Sequence, residues 1–481
     1  MASKHPITFR VSNIPQDASL QNLKDALSGA MLPDEKSISI EATIVPSTGD
    51  DSTNTALVAF VPRTPKYVEP LLGDAGNTLI DTPLGDLSFD TTFYGLTQLY
   101  ATAPGERIVA DIIAVTGLDG HAYGSWRSKG SLPRMWLRDF FSKDLQSCRT
   151  MVYGYDTKLR HHNIHTLYDY KIDLLEQIKK ARKTNEQKRR PLIFIAHSFG
   201  GIVTVHALVK AEEALEWDDD PETHTIYKAT KALMFFGTPH RGLQTEDILS
   251  MIDTKSHAER AELVRSIGQN SAGLAAELQK FSYFADRFKI YSFYERQKTR
   301  SIVITDGIPA RTGNHIVPVD IDSALLSLPG VNESPIPVDG DHSTMVKFNS
   351  QTDRTYKTVL SYIRQTLESL DLQGVADPHN IIPTKLVGPE STKALIEAIQ
   401  RCDVESVRLL LATGVSADGR DLEGVTALHH AARTGDEEIL RMLITNGAHI
   451  QARDLKGKSP VDYARSCGRI VLAIKLQTGR L

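Results

Sequence analysis

The chain has 481 residues, 41% hydrophobic and 24% charged, with 55 Lys plus Arg against 59 Asp plus Glu and a net charge of −4. That length suggests about three domains with a substantial core, and the near-balance of charge argues against a chain devoted to wrapping nucleic acid or coating an anionic membrane. Cys148, Cys402 and Cys467 lie far apart with no CxxC spacing, which excludes a disulfide framework and structural zinc and points to a reducing, cytoplasmic setting.

The N-terminus, MASKHPITFRVSNIPQ, lacks the apolar run of a secretory signal. Residues 6–12 alternate like a strand and 19–31 have helical spacing. Strand character returns at 37–45 and 55–61, a short helix falls near 66–72, and a last strand lies near 78–90. The order βαββαβ predicts a ferredoxin-like α+β domain over residues 1–95. The phrase FRVSNIP resembles the first signature of an RNA-recognition motif, but the positions that would stack bases hold Arg10, Thr55 and Leu57. The expectation is therefore a docking domain, with no nucleic acid partner.

From Arg107 onward, apolar strands (IVADIIAVTG, RTMVYGY, PLIFIAHS, ALMFFG, KIYSFYE) alternate with helical stretches, which predicts a mostly parallel α/β sheet over 104–370. An amphipathic helix at 355–370 should close it. The most apolar stretch, 191–209, is broken by His197, Ser198, Gly200, Gly201 and His206, so no transmembrane segment is expected. Residues 371–392 are punctuated by Pro and Gly and read as a linker. Over 393–481, Leu395, Leu428 and Val461 recur on a 33-residue step, as do Gly414 and Gly447. That period, with VTALHHAA at 425–432, resembles ankyrin repeats, an all-α array suited to protein partners. His429 and His430 then belong to the repeat motif and not to a metal site.

The chemistry concentrates in IFIAHSFGG, residues 193–201. A strand runs straight into Ser198, with small residues Ala196 and Gly200 two positions either side, and a helix follows. A nucleophile on such a strained turn needs small neighbours, and the turn aims the Phe199 N–H at a developing oxyanion. Upstream, the strand ending in Thr116-Gly117-Leu118-Asp119-Gly120 can supply a second donor, assigned to Leu118. LMFFGTPHRG ends another strand at the same edge, so Gly237, Pro239 and His240 should shape the pocket wall. Folds with this turn order nucleophile, acid, then a late histidine, which favours His342 over His240 as base. The acid is Glu295, at the end of KIYSFYE, or Asp320 or Asp322; Asp341, beside His342, is set aside. Two other clusters read as structural. HHNIH (His161, His162, His165) lacks acidic or cysteine companions and predicts a solvated helix start, with no metal or cofactor. The run KKARKTNEQKRR (179–190) predicts an exposed helix end, with headgroup contact as the alternative.

The ordered motifs TGLDGHAYGSW, MWLRDF, YGYD, IAHSFGG, FFGTPHRG, SFYE and DHSTMVKF, over about residues 107–370, resemble the serine-active-site lipase-like family. That family has the α/β-hydrolase fold, is related to GPI inositol-deacylase-like lipases, and is common in fungal chains with appended repeats. The resemblance implies ester hydrolysis with Ser198 and His342 in catalytic roles, and its glutamate after the F-Y-E motif ranks Glu295 ahead of the two aspartates. Thr116 stands where relatives carry a His. The expectation is a serine hydrolase acting on a small-molecule or lipid-like acyl ester through an acyl-enzyme, with peripheral membrane contact open to it. The helical stretch 243–285 is positioned to cap the pocket. The rival expectation is a catalytically silent scaffold working through its repeats.

Overall fold

The computed structural model describes residues 6–73, 76–103, 105–130, 133–159, 161, 164–217, 220–250, 252, 257–301, 303–305, 308–310, 312–328, 333–376, 389–412, 415–421 and 424–478. The chain divides into two units, Met1–Thr366 and Leu367–Leu481.

The first unit opens with β1 (Thr8–Pro15), α1 (Leu20–Gly29), β2 (Ser39–Pro46) and β3 (Thr53–Val61). Ser19 starts α1 by accepting from the Asn22 N–H while Asn22 accepts from the Ser19 N–H, a reciprocal cap. The strand expected near 78–90 is a hairpin, β4 (Thr78–Thr82) and β5 (Gly85–Asp90), because Pro83-Leu84 and Gly85, at φ 95°, turn the chain between them. The five strands run in the order β2-β3-β1-β5-β4, all antiparallel. Phe9, Phe60 and Phe89 fill one face.

A second sheet follows, ordered β16-β11-β10-β9-β7-β8-β6. Its strands are β6 (Gly95–Gln98), β7 (Ala110–Val115), β8 (Cys148–Gly154), β9 (Leu192–His197), β10 (Thr230–Phe236), β11 (Lys289–Glu295) and β16 (Glu333–Val338). All pairings are parallel except β6 with β8. Strands β7 to β10 are buried almost throughout, so they read as continuous apolar runs, as strands covered on both faces must. Two short hairpins precede β16: β12 (Thr299–Arg300) with β15 (His315–Ile316), and β13 (Val303–Thr305) with β14 (Ile308–Ala310).

The helices of this part are α2 (Trp136–Asp139), α3 (Phe141–Asp144), α4 (Leu167–Ala181), α5 (Asn185–Arg189), α6 (Phe199–Trp217) and α7 (Pro221–Ala229). The stretch expected to cap the pocket holds α8 (Glu246–Ser250), α9 (Ala258–Ser266) and α10 (Ala272–Ser282); residues 251 and 253–256 within it lie outside the described residues. After α11 (Ile321–Ala324), the closing helix α12 runs Arg354–Ala376. No helix among the described residues is long and apolar enough to cross a membrane.

The basic run 179–190 departs from the expected exposed helix end. Arg182 and Arg190 are buried with Arg149 around the Asp111 carboxylate, at 2.6, 3.2 and 2.8 Å. Its lysines are paired outward, Lys179 with Glu176 and Lys188 with Glu222. Lys180, Lys183 and Arg189 are exposed as expected, while two arginines of the run hold a buried acid, which composition alone does not show.

In the second unit, three helix pairs stack: α13 (Pro389–Gln400) with α14 (Val404–Ala412), α15 (Ala427–Thr434) with α16 (Glu437–Thr445), and α17 (Pro460–Ser466) with α18 (Ile470–Thr478). Leu395, Leu428 and Leu440 lie in its shared core. His429 accepts the Thr426 N–H on Nδ1 and donates Nε2–H to the Lys458 carbonyl, which ties one turn to the next. Residues 377–388, inside the predicted linker, lie outside the described residues.

Candidate active site

Strand β9 delivers Ser198 to the C-terminal edge of the sheet at φ 53°, a left-handed conformation that strains any residue with a Cβ. The Ser198 N–H donates to the Phe236 carbonyl at 2.9 Å, which fixes the turn to β10. The need for small neighbours is specific. A methyl group on Gly200 would lie 2.4 Å from the Thr116 oxygen and 2.5 Å from the Val115 oxygen, so the bare backbone lets α6 enter against the end of β7. A methyl on Gly117 would come within 3.0 Å of the Ser198 Cβ, which puts the upstream loop directly against the serine.

The Ser198 Oγ lies 2.9 Å from Nε2 of His342. On the other side of the ring, Nδ1 is 3.3 Å from Oε2 of Glu295, at the end of β11. That separation is an ion-pair contact whose angle falls short of a hydrogen bond, and neither atom has another hydrogen-bond partner among the described residues. A shift of a few tenths of an ångström would satisfy both, and such contacts tighten when substrate binds. The Glu295 side chain is 3% exposed, while Ser198 and His342 are 9% and 8% exposed. Charge in so dry a place acts strongly.

The structure thus brings Ser198, His342 and Glu295 together, and leaves the alternative acids apart. Asp320 caps α11 by accepting the Ser323 N–H at 2.8 Å, and Asp322 is exposed. Asp341 accepts from the hydroxyls and the N–H groups of Thr344 and Ser343; burial opposes its ionisation, but these hydrogen bonds, those of the hydroxyls first, outweigh it and hold the carboxyl below the usual range. It shapes the His342 loop and faces no ring nitrogen. His240 packs edge-on to Phe235, and burial pushes its imidazole down to about 3, so it stays neutral. Gly237, at φ 52°, comes so close to the His342 ring that a methyl there would sit 3.0 Å from Nδ1.

The Phe199 N–H heads α6, where no intrahelical acceptor exists. Leu118 is half-buried on the loop against Ser198, whose path is set by Asp119 donating N–H to the Thr157 carbonyl at 3.1 Å and Tyr155 O–H to the Thr116 carbonyl at 2.6 Å. The Thr116 hydroxyl is buried without a hydrogen-bond partner among the described residues. Leu118 also joins Ile248 and Leu249 of α8 around a small apolar cluster of Leu159, Ile252, Ala261 and Val264.

Several residues support the site without a role that the sequence singles out. The His197 ring donates Nε2–H to the His342 carbonyl at 2.8 Å and packs beside the His342 ring. Thr299 accepts the His342 N–H at 3.0 Å, and the Trp136 indole donates to the Val346 carbonyl at 2.8 Å. For His197 and Trp136 the sequence signal is membership of an ordered motif, and for Thr299 there is none, because partners 43 to 210 residues apart leave no periodicity. In HHNIH, His161 contacts Asp156 and His165 tilts over Tyr170, while His162 lies outside the described residues. Among the described residues no group of three or more His, Cys, Asp or Glu could hold a metal.

Comparison with known proteins adds two findings. The family model described as "Ankyrin repeats (3 copies)" matches residues 365–454, so a separate C-terminal ankyrin array accompanies the mixed α/β core. Protein SERAC1 of Mus musculus is 25% identical over 282 residues, 54% of this chain and 39% of that protein. Protein SERAC1 of Homo sapiens is 25% identical over 300 residues, covering 57% and 41%, and that of Danio rerio 24% over 288 residues, covering 54% and 39%. The chain is a distant homologue of these proteins and spans about two fifths of their length.

Proposed function

We propose that this chain is a serine hydrolase that cleaves an acyl ester. One observation carries the reading: Ser198, on a positive-φ turn between strand and helix, lies 2.9 Å from the His342 imidazole, which in turn faces Glu295. In this reading the first unit's two sheets are a ferredoxin-like domain (1–95) and an α/β-hydrolase domain (104–370), followed by a linker (371–392) and the repeats (393–481). The central position of β9 and the chain order serine, glutamate, histidine support the hydrolase assignment, and the distant homology to protein SERAC1 accords with it. The kinship to GPI inositol-deacylase-like lipases rests on the motifs alone.

Glu295 holds the His342 tautomer with Nδ1–H toward itself and stabilises the imidazolium as it forms. Nε2 takes the Ser198 proton, and Oγ attacks the acyl carbonyl. The tetrahedral oxyanion is held by the N–H groups of Phe199 and Leu118. Its collapse expels the alcohol with the proton from Nε2, and water, activated by the same nitrogen, releases the acid. The apolar cluster joining Leu118 to α8 and α9 supports a lipid-like acyl chain. The three free cysteines support a reducing, cytoplasmic setting, with peripheral membrane contact through the substrate. Protein partners would engage the ankyrin array. Fluorophosphonate labelling of wild type beside Ser198→Ala tests the reading. An adduct lost in the variant is expected; its absence from the wild type would favour the scaffold.

A further inference from the structure

Between the five-stranded sheet and the segment that carries α2 and α3 lies a concavity of about 550 Å3. Its floor is the face of the five-stranded sheet opposite the Phe9–Phe60–Phe89 core, where Thr8, Glu41, Thr43, Leu57 and Ala59 lie. The facing wall is residues 133–143, with Tyr100 and Tyr123. Lys24, Arg127, Arg134, Arg138 and Lys143 line it, against only Glu41 and Asp139: five cations to two carboxylates, an excess of three positive charges. The whole chain carries −4, so this is a local inversion of its charge.

One of the cations, Arg138, is paired within the cleft; the other four are not neutralised by an ion pair among the described residues. Asp139 is occupied, taking Arg138 Nε on one oxygen at 2.7 Å and the Met135 N–H on the other at 3.0 Å. Arg138 lies over the Tyr123 ring at 5.8 Å. Arg127 is anchored by the neutral Pro6 carbonyl at 2.8 Å, which fixes its guanidinium without cancelling its charge. Lys24, Arg134 and Lys143 form no ion pair among the described residues. Such a collection of like charges raises the free energy of an empty cleft and lowers that of one holding an anion.

We propose that this cleft binds a small phosphate-bearing molecule. Arginine forks and lysine point charges converging from α1, the 127 turn and α2–α3 match a phosphomonoester or pyrophosphate better than a single carboxylate. Leu57, Ala59, Met135 and the two tyrosines provide an apolar and aromatic surface for the organic part. The volume suits a metabolite or a lipid headgroup. The cleft is connected to the His342 loop through α2, which carries both Arg138 and Trp136, the Trp136 indole donating to the Val346 carbonyl four residues beyond His342. Phosphate binding does not require the hydrolytic reading.

Calorimetric titration of the full chain with inorganic pyrophosphate tests this. Saturable one-to-one binding is expected, weakened about tenfold or more, that is by about 1.4 kcal/mol, in Arg134→Glu/Lys143→Glu and in Lys24→Glu. The Arg134→Lys/Lys143→Arg pair should retain it. Arg134 and Lys143 are exposed, so these variants should unfold at the wild-type temperature. Cosedimentation with phosphatidylcholine vesicles containing phosphatidic acid distinguishes the source. Vesicle binding by wild type but not by the reversal variants assigns a lipid headgroup, and pyrophosphate binding without it assigns a soluble phosphate. The proposal falls if neither probe binds, if the charge reversals leave binding unchanged, or if an oligoribonucleotide binds where pyrophosphate does not.

Discussion

Replacing Glu295 with Gln keeps the side-chain volume and removes one charge. At 3.3 Å from the His342 Nδ1, that charge attracts a full imidazolium by about 5 kcal/mol at an effective dielectric constant near 20. The imidazolium exists only as the serine proton is transferred, so the loss falls on the transition state and not on substrate binding. The expected result is a kcat lower by about 10^3 to 10^4, with KM changed less than about threefold. Initial rates on a short-chain p-nitrophenyl ester measure both, and the fluorophosphonate labelling rate should fall in parallel. Folding should be little affected, because the amide oxygen can still accept the Val319 N–H that Oε1 receives at 3.4 Å. Asp320→Asn and Asp322→Asn should stay within about twofold, since one caps a helix and the other is exposed. Activity of Glu295→Gln within tenfold of wild type, or an equal collapse in Asp320→Asn, would refute the assignment of the acid.

Gly200→Ala should cost about 1–3 kcal/mol of stability and about tenfold to a hundredfold in kcat, because its methyl meets two backbone oxygens at 2.4 and 2.5 Å that cannot turn aside. Gly273→Ala in α10, whose nearest obstacle is 3.7 Å away, should change stability by less than about 1 kcal/mol. Denaturant unfolding compares the two, and equal losses would contradict the packing described at the serine. Asp111→Asn removes the carboxylate at which three buried guanidiniums converge and should cost about 3–5 kcal/mol. In the wild type, burial alone would raise the Asp111 pKa, but the Arg149, Arg182 and Arg190 guanidiniums outweigh it and hold the carboxyl below its usual value. A depressed native pKa stabilises fully above the unfolded value of about 3.9 and is lost as pH falls through the native one. Thermal unfolding from neutral pH down to pH 2 should therefore show a shallower acid limb in the variant, and an unchanged limb would count against this account.

The serine turn and its partners were legible because their determinants are local or ordered along the chain: a strand running into Ala196-His197-Ser198-Phe199-Gly200, and a histidine late in sequence. Glu295 separated from Asp320 and Asp322 only through the family resemblance, since each leaves an apolar run and spacing cannot say which carboxylate faces a ring. The apolar run ahead of those aspartates holds the short hairpin strand β15, and the sheet's last strand, β16, was missed because Pro335 and Pro337 argue against a strand. The buried role of Arg182 and Arg190 was hidden for a related reason. Their partner, Asp111, lies 71 and 79 residues away on another strand. The 33-residue period of the last segment was visible because each repeat restates the same local turn and helix pair.

Those two prolines have a further consequence. β16 keeps its full register with β11, so the prolines, having no N–H to give, must present their nitrogens to the open margin. An incoming strand would find two donors missing there, while β6 at the opposite margin is only four residues long. Neither border offers a template for another chain to extend by backbone pairing, a safeguard against amyloid-like growth from a large apolar sheet. Any self-assembly of this sheet must then proceed through side chains.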